Sequence, residues 1–454
     1  MNLKKTQRYH LESNIGLLND PNGLVYFKNK YYIFFQWNRF EKSHNYKEWG
    51  LFTTEDFKNW NFRRSAIVPD QEYDLDGVYS GSAYVIDDKL YLYYTGNRKK
   101  NKTRKSSQCL VITEDGKKFE KKGVILETPK EYTEHFRDPK VFKYDDSFYM
   151  IIGAQLKTGK GGIALAKSED GIVWKYLRNI AKTKEYEMIE CPDFIDLGNK
   201  ILFLYSLQKR DNKLDKPLFS FSSYKILDKF FLENDTLDLE NGDLLDYGFD
   251  FYAPQTFKNF DGRIIMYAWM SRMSDEEEKK FASNEKNIHC LTLPRELKIK
   301  NKKLYQVPIK ELYSILGKEI FPIKEDEKIN IISNTLAFYL KIDDLQLIEN
   351  EFKIDFRGLD LKFSYRMENN KVELTRKNWV TRNYETKTYF LNDGVNNLEI
   401  WFDVSSIEIF INDGEVVFSN RVYPKIKKRE ISIIGIKKYR NIKIKEIIGG
   451  KKYE

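Results

Sequence analysis

Short apolar runs alternate with polar turn residues along most of the chain, and helical spacing of apolar residues is scarce. Five times, one apolar run, a turn and a second apolar run follow each other. The turns carry Asn, Asp or Gly, which tolerate tight-turn dihedrals. The second runs start after five polar residues at intervals of 59, 58, 53 and 63 positions: Lys30, Lys89, Ser147, Lys200 and Arg263.

The early copies of this unit continue with a third apolar run, and a short fourth run ends each copy. Four strands per copy, five copies and a period near 58 residues predict an all-β fold, a five-bladed β-propeller over residues 1–308. A large β-sandwich with accidental spacing is the alternative. Five copies in register favour the propeller.

The repetition ends after Pro308, and residues 320–454 show short alternating strands without the repeated turns. Asn412, Asp413 and Gly414 follow one of these strands and are a strong hairpin signal. We predict a C-terminal β-sandwich over residues 320–454, joined to the propeller by a linker at 309–319. The sandwich is expected to brace the propeller, and a sugar-binding module is the alternative.

Bulk composition narrows the class of protein. The 454 residues are 41% hydrophobic and 15% aromatic, which supports large cores. The net charge of +9 comes without a dense basic block, so no nucleic-acid partner is expected. No run approaches the ~18 apolar residues of a membrane span, and no apolar stretch follows the first residues as in a secretory signal. Three cysteines form no disulfide framework, so a cytoplasmic location is expected.

Three carboxylates occupy the same place in three of the repeated units. Asp20 and Asp138 directly precede a proline, and Glu190 precedes Cys191 and Pro192. Each lies nine or ten residues ahead of the residue before its second run. A residue before proline favours extended backbone, which suits a side chain projecting from a strand. Singly, each acid could be a solvated turn or strand-end charge, but a common register around one axis predicts convergence.

Carboxylates that lie close together can take different roles in a reaction. Like charges crowded in a pocket raise the pKa of one member, which then stays protonated while another stays ionised. A nucleophilic carboxylate and an acid/base carboxylate are what retaining glycoside hydrolysis requires. The three acids therefore predict this reaction class.

Several segments around these acids resemble glycoside hydrolase family 32, which contains invertases, sucrose-6-phosphate hydrolases and fructan hydrolases. The resemblance covers most of the chain. It is carried by residues 19–23 (NDPNG), 35–36, 49–50, 74–83 (DLDGVYSGSA), 94–97, 136–139 (FRDP), 190–192 (ECP), 250–256 (DFYAPQT), 293–297, 402–408 and 412–414.

The resemblance implies a role for each matched residue. Asp20 would be the nucleophile, Glu190 the general acid/base, and Asp138 the stabiliser of the transition state. Further matched residues would line the fructose site: Asn19, Gln36, Trp49, Ser80, Arg137 and Tyr252. The chain departs from the family pattern at three places, with Leu17 and Leu18 before Asn19, Asn38 and Arg39 after the glutamine segment, and Leu51 after Gly50.

The function expected from this resemblance is that of a retaining β-fructofuranosidase, acting on sucrose-6-phosphate and on sucrose. Basic residues at 38–47 and 98–102 could hold a phosphate on the leaving glucose, although such loops are more often simply solvated. Hydrolysis of fructo-oligosaccharides or fructans, fructosyl transfer and a non-catalytic carbohydrate-binding propeller are the alternatives.

The reaction needs no cofactor, and none is expected. No metal site is expected either, because His10, His44, His135 and His289 are scattered without paired-ligand spacing. The expected partner is a small fructoside, with no membrane partner, and the sequence leaves the oligomeric state open.

Overall fold

A computed structural model describes residues 6–100, 103–198, 200–211, 216–228, 236–282, 286–325, 328–347, 350–424 and 429–449. Strands dominate these ranges. None of the helices within them combines the length and apolarity needed to cross a membrane.

Five antiparallel sheets occupy the chain up to Pro308. Sheet I contains β1 (Gly16–Phe27), β2 (Lys30–Asn38), β3 (Glu48–Thr54) and β4 (Asn61–Ile67). Sheet II contains β5 (Val78–Ile86), β6 (Lys89–Lys100), β7 (Thr103–Thr113) and β8 (Glu120–Glu127). Sheet III contains β9 (Tyr132–Tyr144), β10 (Ser147–Leu156), β11 (Gly161–Ser168) and β12 (Lys175–Lys182). Sheet IV contains β13 (Met188–Asp196), β14 (Lys200–Asp211), β15 (Lys216–Asp228) and β16 (Asp243–Leu244).

The fifth sheet is interrupted by a helix and by a strand that joins another sheet. In chain order the segment comprises β17 (Tyr252–Lys258), β18 (Ile264–Trp269), helix α1 (Asp275–Ala282), β19 (Asn287–Ile288), β20 (Arg295–Lys300) and β21 (Lys303–Pro308). Sheet V takes β17, β18, β20 and β21, whereas β19 pairs in parallel with β1 of sheet I. β19 thereby adds a fifth strand to sheet I.

The first strands of the five sheets follow one another in a cycle. β1 lies against β5, β5 against β9, β9 against β13, β13 against β17, and β17 against β1. We call this arrangement the five-sheet ring. It places the predicted acids, on β1, β9 and β13, around a shared centre.

The predicted strand pairs of the ring are confirmed. The second strands β2, β6, β10 and β14 begin at Lys30, Lys89, Ser147 and Lys200, and β18 begins one residue after Arg263. The turns before them contain left-handed residues, as their composition predicted: Asn29, Asp87, Asp88, Asp145, Gly198 and Gly262. Asn199, also assigned to a turn, lies outside the described residues.

Two larger antiparallel sheets follow. One holds β22 (Leu316–Glu319), β25 (Phe338–Asp343), β31 (Asn397–Phe402), β32 (Ser406–Ile411), β33 (Val416–Arg421) and β36 (Asn441–Ile447). The other holds β23 (Ile323–Glu325), β24 (Lys328–Ser333), β27 (Glu351–Arg357), β28 (Leu361–Arg366), β29 (Lys371–Lys377), β30 (Tyr384–Phe390) and β34 (Arg429–Ile434). A separate pair consists of β26 (Gln346–Leu347) and β35 (Ile436–Lys438).

A single hydrophobic core fills the space between the two large sheets, and we call them together the two-sheet unit. Phe338 and Ile409 of one sheet pack in this core with Phe352 and Phe363 of the other. The predicted hairpin is present, because residues 412–414 all have positive φ between β32 and β33. Short 3-10 helices lie at Lys310–Ile315 and Met367–Asn369. The segment 309–319, expected to join the two parts, thus holds a 3-10 helix and strand β22.

A buried ionic cluster connects the five-sheet ring to the two-sheet unit. Arg295 of β20 has no exposed surface and pairs with Asp246, at 3.0 Å, and with Glu408 of β32. His10 lies between Asp403 and Glu408, with N–O distances of 3.0 and 2.9 Å. Burial lowers the pKa of His10, but its hydrogen bonds to these two carboxylates outweigh burial and raise it. The two parts therefore meet through paired charges as well as apolar contacts.

Candidate active site

A cavity of about 370 Å³ opens beside the first strands of the five-sheet ring, and each of those strands contributes to its wall. Eight of the nine residues expected from the sequence line it: Asn19, Asp20, Gln36, Ser80, Arg137, Asp138, Glu190 and Tyr252. The three predicted acids therefore do converge. In the part of the chain that the structure describes, no group of three His, Cys, Asp or Glu is arranged to hold a metal ion.

Trp49 is the predicted residue that does not line the cavity. Its side chain is fully buried between sheets I and II, and the ring packs against Phe34. Its indole N–H donates to the carbonyl oxygen of Tyr79 at 3.0 Å. Since Tyr79 and Ser80 both face the cavity, Trp49 supports the wall from behind.

A bulge interrupts pairing where the site residues leave their strands. The extra residue lies in β9 between Arg137 and Lys140, in β13 between Glu190 and Asp193, and in β17 between Tyr252 and Gln255. An extra residue on one strand bends it and re-aims side chains. The repeated bulges explain why residues from separate sheets point into one cavity.

Each of these three bulges holds a left-handed residue directly before a proline. The φ angles are +67° at Asp138, +44° at Cys191 and +50° at Ala253. The extended backbone expected at Asp138 from its proline is therefore wrong, because the bulge imposes a conformation that proline alone disfavours. Such strain is held where the surrounding structure over-determines it, as at many functional sites.

Asp20 lies on β1 beside a hydroxyl donor. The hydroxyl of Ser80, on β5, donates to Asp20 Oδ2 at 2.7 Å. On the preceding residue, Asn19 Oδ1 accepts from the ammonium group of Lys47 at 2.6 Å. Gln36 donates to the carbonyl oxygen of Val78 at 2.9 Å, which ties β2 to β5. Sheets I and II thus hold this wall of the cavity together.

Glu190 is the most heavily hydrogen-bonded of the three acids. Arg137 donates to Oε1 through Nε at 3.0 Å and through Nη2 at 2.6 Å. The hydroxyl of Tyr252 donates to Oε2 at 2.7 Å, and the amide of Gln208 donates to the same oxygen. Burial raises the pKa of this carboxyl, but the charge of Arg137 and the hydrogen bonds from Tyr252 and Arg137 lower it below its usual range. In the unliganded site Glu190 therefore favours the ionised form.

Asp138 shows the opposite tendency. It is buried, and its Oδ2 accepts from the Cys191 N–H at 3.0 Å and from the Cys191 thiol at 3.5 Å. Burial raises the pKa of Asp138, the charges of Glu190 and Asp20 raise it further, and Arg137 offsets only part of the effect. A proton shared by these two neighbouring carboxyls therefore favours Asp138 over Glu190 in the unliganded protein.

A chain of polar contacts leads from helix α1 to Asn19. Glu278 accepts from Nε2 of His289 at 2.8 Å and of His44 at 3.3 Å. The other ring nitrogen of His44 lies 3.1 Å from Lys47 Nζ, which reaches Asn19. Burial lowers the pKa of Lys47 to about 8, against the charges of Asp20, Glu278 and Glu190.

The two predicted basic loops contribute unequally to the cavity. His44 and Lys47 of the first loop line it. Arg39 instead donates to Ser65 and pairs with Glu48, and Arg98 of the second loop pairs with Asp76 at 2.7 Å. The Lys100 side chain, Asn101 and Lys102 lie outside the described residues.

Sequence reasoning missed several polar residues of the cavity. They come from β7, β14, α1 and the segment before α1: Arg104, Gln208, Arg210, Arg272, Asp275 and Glu278. A signal existed for Gln208, since antiparallel pairing places Glu190 opposite Ser206, two residues away on the same face. No comparable signal marked Arg272, which follows a strand and precedes a helix.

Three carboxyl groups that meet in one cavity, two of them with opposite pKa shifts, match the carboxyl pair and the stabilising acid of glycoside hydrolysis. The family comparisons agree. Residues 10–308 match the Glycosyl hydrolases family 32 N-terminal domain, and residues 349–446 match the Glycosyl hydrolases family 32 C terminal. The chain belongs to glycoside hydrolase family 32, and the resemblance found in its sequence is confirmed.

Individual relatives extend over nearly the whole chain. A sucrose-6-phosphate hydrolase of Bacillus subtilis (strain 168) is 36% identical over 450 residues, covering 94% of this chain and 90% of that protein. A sucrose-6-phosphate hydrolase of Vibrio alginolyticus is 34% identical and covers 97% and 91%. The solved structure of sucrose-6-phosphate hydrolase from Lactobacillus gasseri superimposes with a TM-score of 0.84 at 27% identity, covering 98% and 93%.

Proposed function

We propose that the protein is a retaining β-fructofuranosidase that hydrolyses sucrose-6-phosphate, and also sucrose, through a fructosyl-enzyme intermediate. The observation that carries the proposal is the meeting of Asp20, Asp138 and Glu190 in one cavity, with Arg137 held against Glu190. The names of the relatives from Bacillus subtilis and Vibrio alginolyticus support the phosphorylated substrate.

Asp20 is the nucleophile in this proposal. Its carboxylate attacks the anomeric carbon of the fructosyl group while Glu190 gives its proton to the leaving oxygen. In the second step Glu190 takes a proton from water, and the resulting hydroxide equivalent releases fructose from Asp20. Asp138 binds fructose hydroxyls and stabilises positive charge on the ring. Asn19, Gln36, Ser80, Arg137 and Tyr252 position the sugar, with Trp49 behind them.

The proton on Asp138 must move before the first step. Fructose hydroxyls that donate to Asp138 stabilise its ionised form, and the proton then favours Glu190, the other member of the pair. Substrate binding thereby transfers the proton to Glu190, the acid catalyst. This order is consistent with Glu190 being ionised in the unliganded site.

We further propose that the five sheets are the blades of a five-bladed β-propeller over residues 1–308 and that residues 320–454 form a β-sandwich, with 309–319 between them. The cyclic contacts of the first strands and the shared core of the two-sheet unit support this architecture. A cytoplasmic location is also proposed, since Cys109, Cys191 and Cys290 are all free thiols.

The test is a comparison of initial rates on sucrose-6-phosphate and sucrose by the purified protein. We expect kcat/KM to be higher for the phosphorylated sugar, and Asp20→Asn to lower both rates by about 10³-fold or more. Asp115→Asn is the matched control, because this residue caps an exposed turn through its backbone contacts. It is expected to retain full activity.

Other results would redirect the assignment. Equal or faster cleavage of plain sucrose would contradict the phosphorylated substrate and favour an invertase or a fructan hydrolase. Oligosaccharides formed at high sucrose concentration would indicate fructosyl transfer. An Asp20→Asn variant with unchanged rates would refute the nucleophile assignment.

A further inference from the structure

Two arginines at the cavity wall have no part in the mechanism above. Arg210 belongs to β14, and Arg272 lies between β18 and helix α1. They come from different parts of the five-sheet ring, yet both are connected to the same oxygen atom of Glu190. Their position relative to the acid/base group determines which part of a substrate they can contact.

Arg272 is held by aromatic faces rather than by a carboxylate. Its guanidinium lies 4.6 Å from the ring centre of Tyr252 and 6.0 Å from that of Trp269. Its Nε donates to the hydroxyl of Ser220. Within the described ranges, no carboxylate lies at ion-pair distance from it and its two terminal nitrogens make no hydrogen bond. The stacking fixes the plane of the group and leaves its paired donors for a ligand.

Arg210 reaches the site through Gln208. Its Nη1 donates to Gln208 Oε1 at 2.7 Å, and Gln208 donates to Glu190 Oε2. Arg272 reaches the same oxygen through Tyr252, whose hydroxyl donates to it. Each arginine is thus one side chain away from Glu190 Oε2. Because the acid protonates the oxygen of the leaving group, that group must lie next to the Glu190 carboxyl.

We propose that Arg272, assisted by Arg210, binds the phosphate of the leaving sugar and makes the enzyme select a phosphorylated glucosyl group. This inference rests on the proposed function. A phosphate monoester carries a charge near −2 and three acceptor oxygens, which a guanidinium meets with two parallel donors.

The negative groups on the same cavity wall do not cancel this preference. Glu278 is already engaged by His289 and His44, and Glu190 by Arg137. Asp275 stands at the start of helix α1, exposed to solvent. Arg272, by contrast, presents a positive charge without a carboxylate partner among the described residues. Its electrostatic attraction for a phosphate is therefore not offset by a neighbouring negative group.

The first experiment measures kcat/KM on sucrose-6-phosphate and sucrose for the intact protein, Arg272→Gln and Arg272→Lys. We expect Arg272→Gln to lose about 10- to 100-fold on the phosphorylated sugar and less than about threefold on sucrose, as for a lost hydrogen bond to a charged group. Arg272→Lys should recover part of the loss. An equal loss on both substrates would overturn the proposal, because Arg272 would then act only through Tyr252.

Arg104→Gln is the matched comparison. Arg104 lines the same cavity but stacks on Tyr79, at 5.0 Å, and donates to Asn97, away from the partners of Glu190. A larger loss of phosphate preference in this variant than in Arg272→Gln would also overturn the assignment. Thermal melting of each variant verifies that it is folded.

A binding experiment separates this proposal from the proposed function. Glucose 6-phosphate, glucose and inorganic phosphate are titrated calorimetrically into Asp20→Asn and into the double variant Asp20→Asn, Arg272→Gln. We expect glucose 6-phosphate to bind Asp20→Asn at least about tenfold more tightly than glucose, and the double variant to lose that difference. Such a result would stand even if sucrose-6-phosphate proved a poor substrate. Equal binding of the two sugars to Asp20→Asn would refute the phosphate site.

Discussion

Glu190 and Asp138 show how two buried carboxyls acquire opposite proton affinities from their immediate contacts. Glu190 accepts from three side chains, one of them the Arg137 guanidinium, whereas the Oδ2 of Asp138 accepts only from Cys191 among the hydrogen bonds described. Hydrogen bonds to the charged form favour ionisation, and burial without them opposes it. The donors around Glu190 are therefore the means of tuning the pH dependence of the reaction.

Tyr252→Phe tests that tuning. The substitution removes one donor from the ionised Glu190 and should raise the pKa of this group. A hydrogen bond to a charged group contributes about 1.5–3 kcal/mol, and one pH unit corresponds to about 1.4 kcal/mol. In the proposed mechanism Glu190 must carry a proton in the enzyme–substrate complex, so the alkaline limb of kcat is expected to move up by about one to two pH units.

The matched control for Tyr252→Phe is Tyr31→Phe. The Tyr31 hydroxyl donates to Asn259 at 3.0 Å and does not line the cavity. Its pH profile should match that of the unmodified enzyme. An unchanged alkaline limb in Tyr252→Phe would mean that its hydroxyl does not act on Glu190 during catalysis.

Residue identities at the centre of the site could be predicted from the sequence, but their protonation could not. Asp20, Asp138 and Glu190 occupy the same position, close to a proline, in three repeated units, and this position can be read directly from the sequence. The proton's preference for Asp138 over Glu190 depends on Arg137 and Tyr252, which approach Glu190 from β9 and β17. Contacts between distant segments carry no local signal, which is also why Arg272 was missed.

Among the elements, β10 supports the site without contributing a side chain to the cavity wall. Gly153 of β10 pairs with Arg137, and a Cβ added there would lie 2.4 Å from the carbonyl oxygen of Ile189, the residue before Glu190. No side chain fits that gap. The approach of sheet III to sheet IV therefore depends on a glycine at this position.

Gly153→Ala should separate the two sheets where Arg137 meets Glu190. We expect a loss of about 1–3 kcal/mol in stability, typical of overpacking, and a fall in kcat of about tenfold or more. Melting curves and initial rates measure the two effects. Gly123→Ala is the control, because a Cβ there contacts nothing within 4 Å and only the backbone, with φ of +92°, is strained. Full activity loss in the control as well would contradict the steric explanation.

The strands themselves were the most predictable elements. Apolar runs and turns rich in Asn, Asp and Gly determine backbone conformation over a few neighbouring residues. The starts of β2, β6, β10 and β14 could therefore be located from the sequence. The bulge at Asp138 could not, since a proline by itself favours extended backbone and the left-handed residue is imposed by pairing with β10.

At the scale of the whole molecule, the two parts depend on each other through Arg295. A chain ending at residue 318 would lose Glu408 and the rest of the two-sheet unit, which covers Arg295 and shares a hydrophobic core with the five-sheet ring. The apolar surface exposed in this way removes a large part of the favourable free energy of folding. We expect this truncated protein to be insoluble or inactive, in line with a bracing role for the two-sheet unit.

Glu408→Gln in the full chain provides the matched variant. It keeps the two-sheet unit but removes the charge that faces Arg295 and His10. Its melting temperature should fall while its activity at 25 °C persists. A truncated protein that stayed soluble and fully active would refute the bracing role.

The parallel pairing of β1 with β19 also has a consequence for synthesis of the protein. Gly16 pairs with Asn287, and the backbone N–H groups of residues 8–10 donate to Asp403. The strand that carries Asp20 therefore emerges from the ribosome early, yet Gly16 and Leu17 at its start meet their partners only after Ile288 has been made. Contacts of such long sequence separation form slowly, and an exposed strand edge invites wrong pairing. We therefore expect the β1–β19 pairing to form late, after the rest of sheet I.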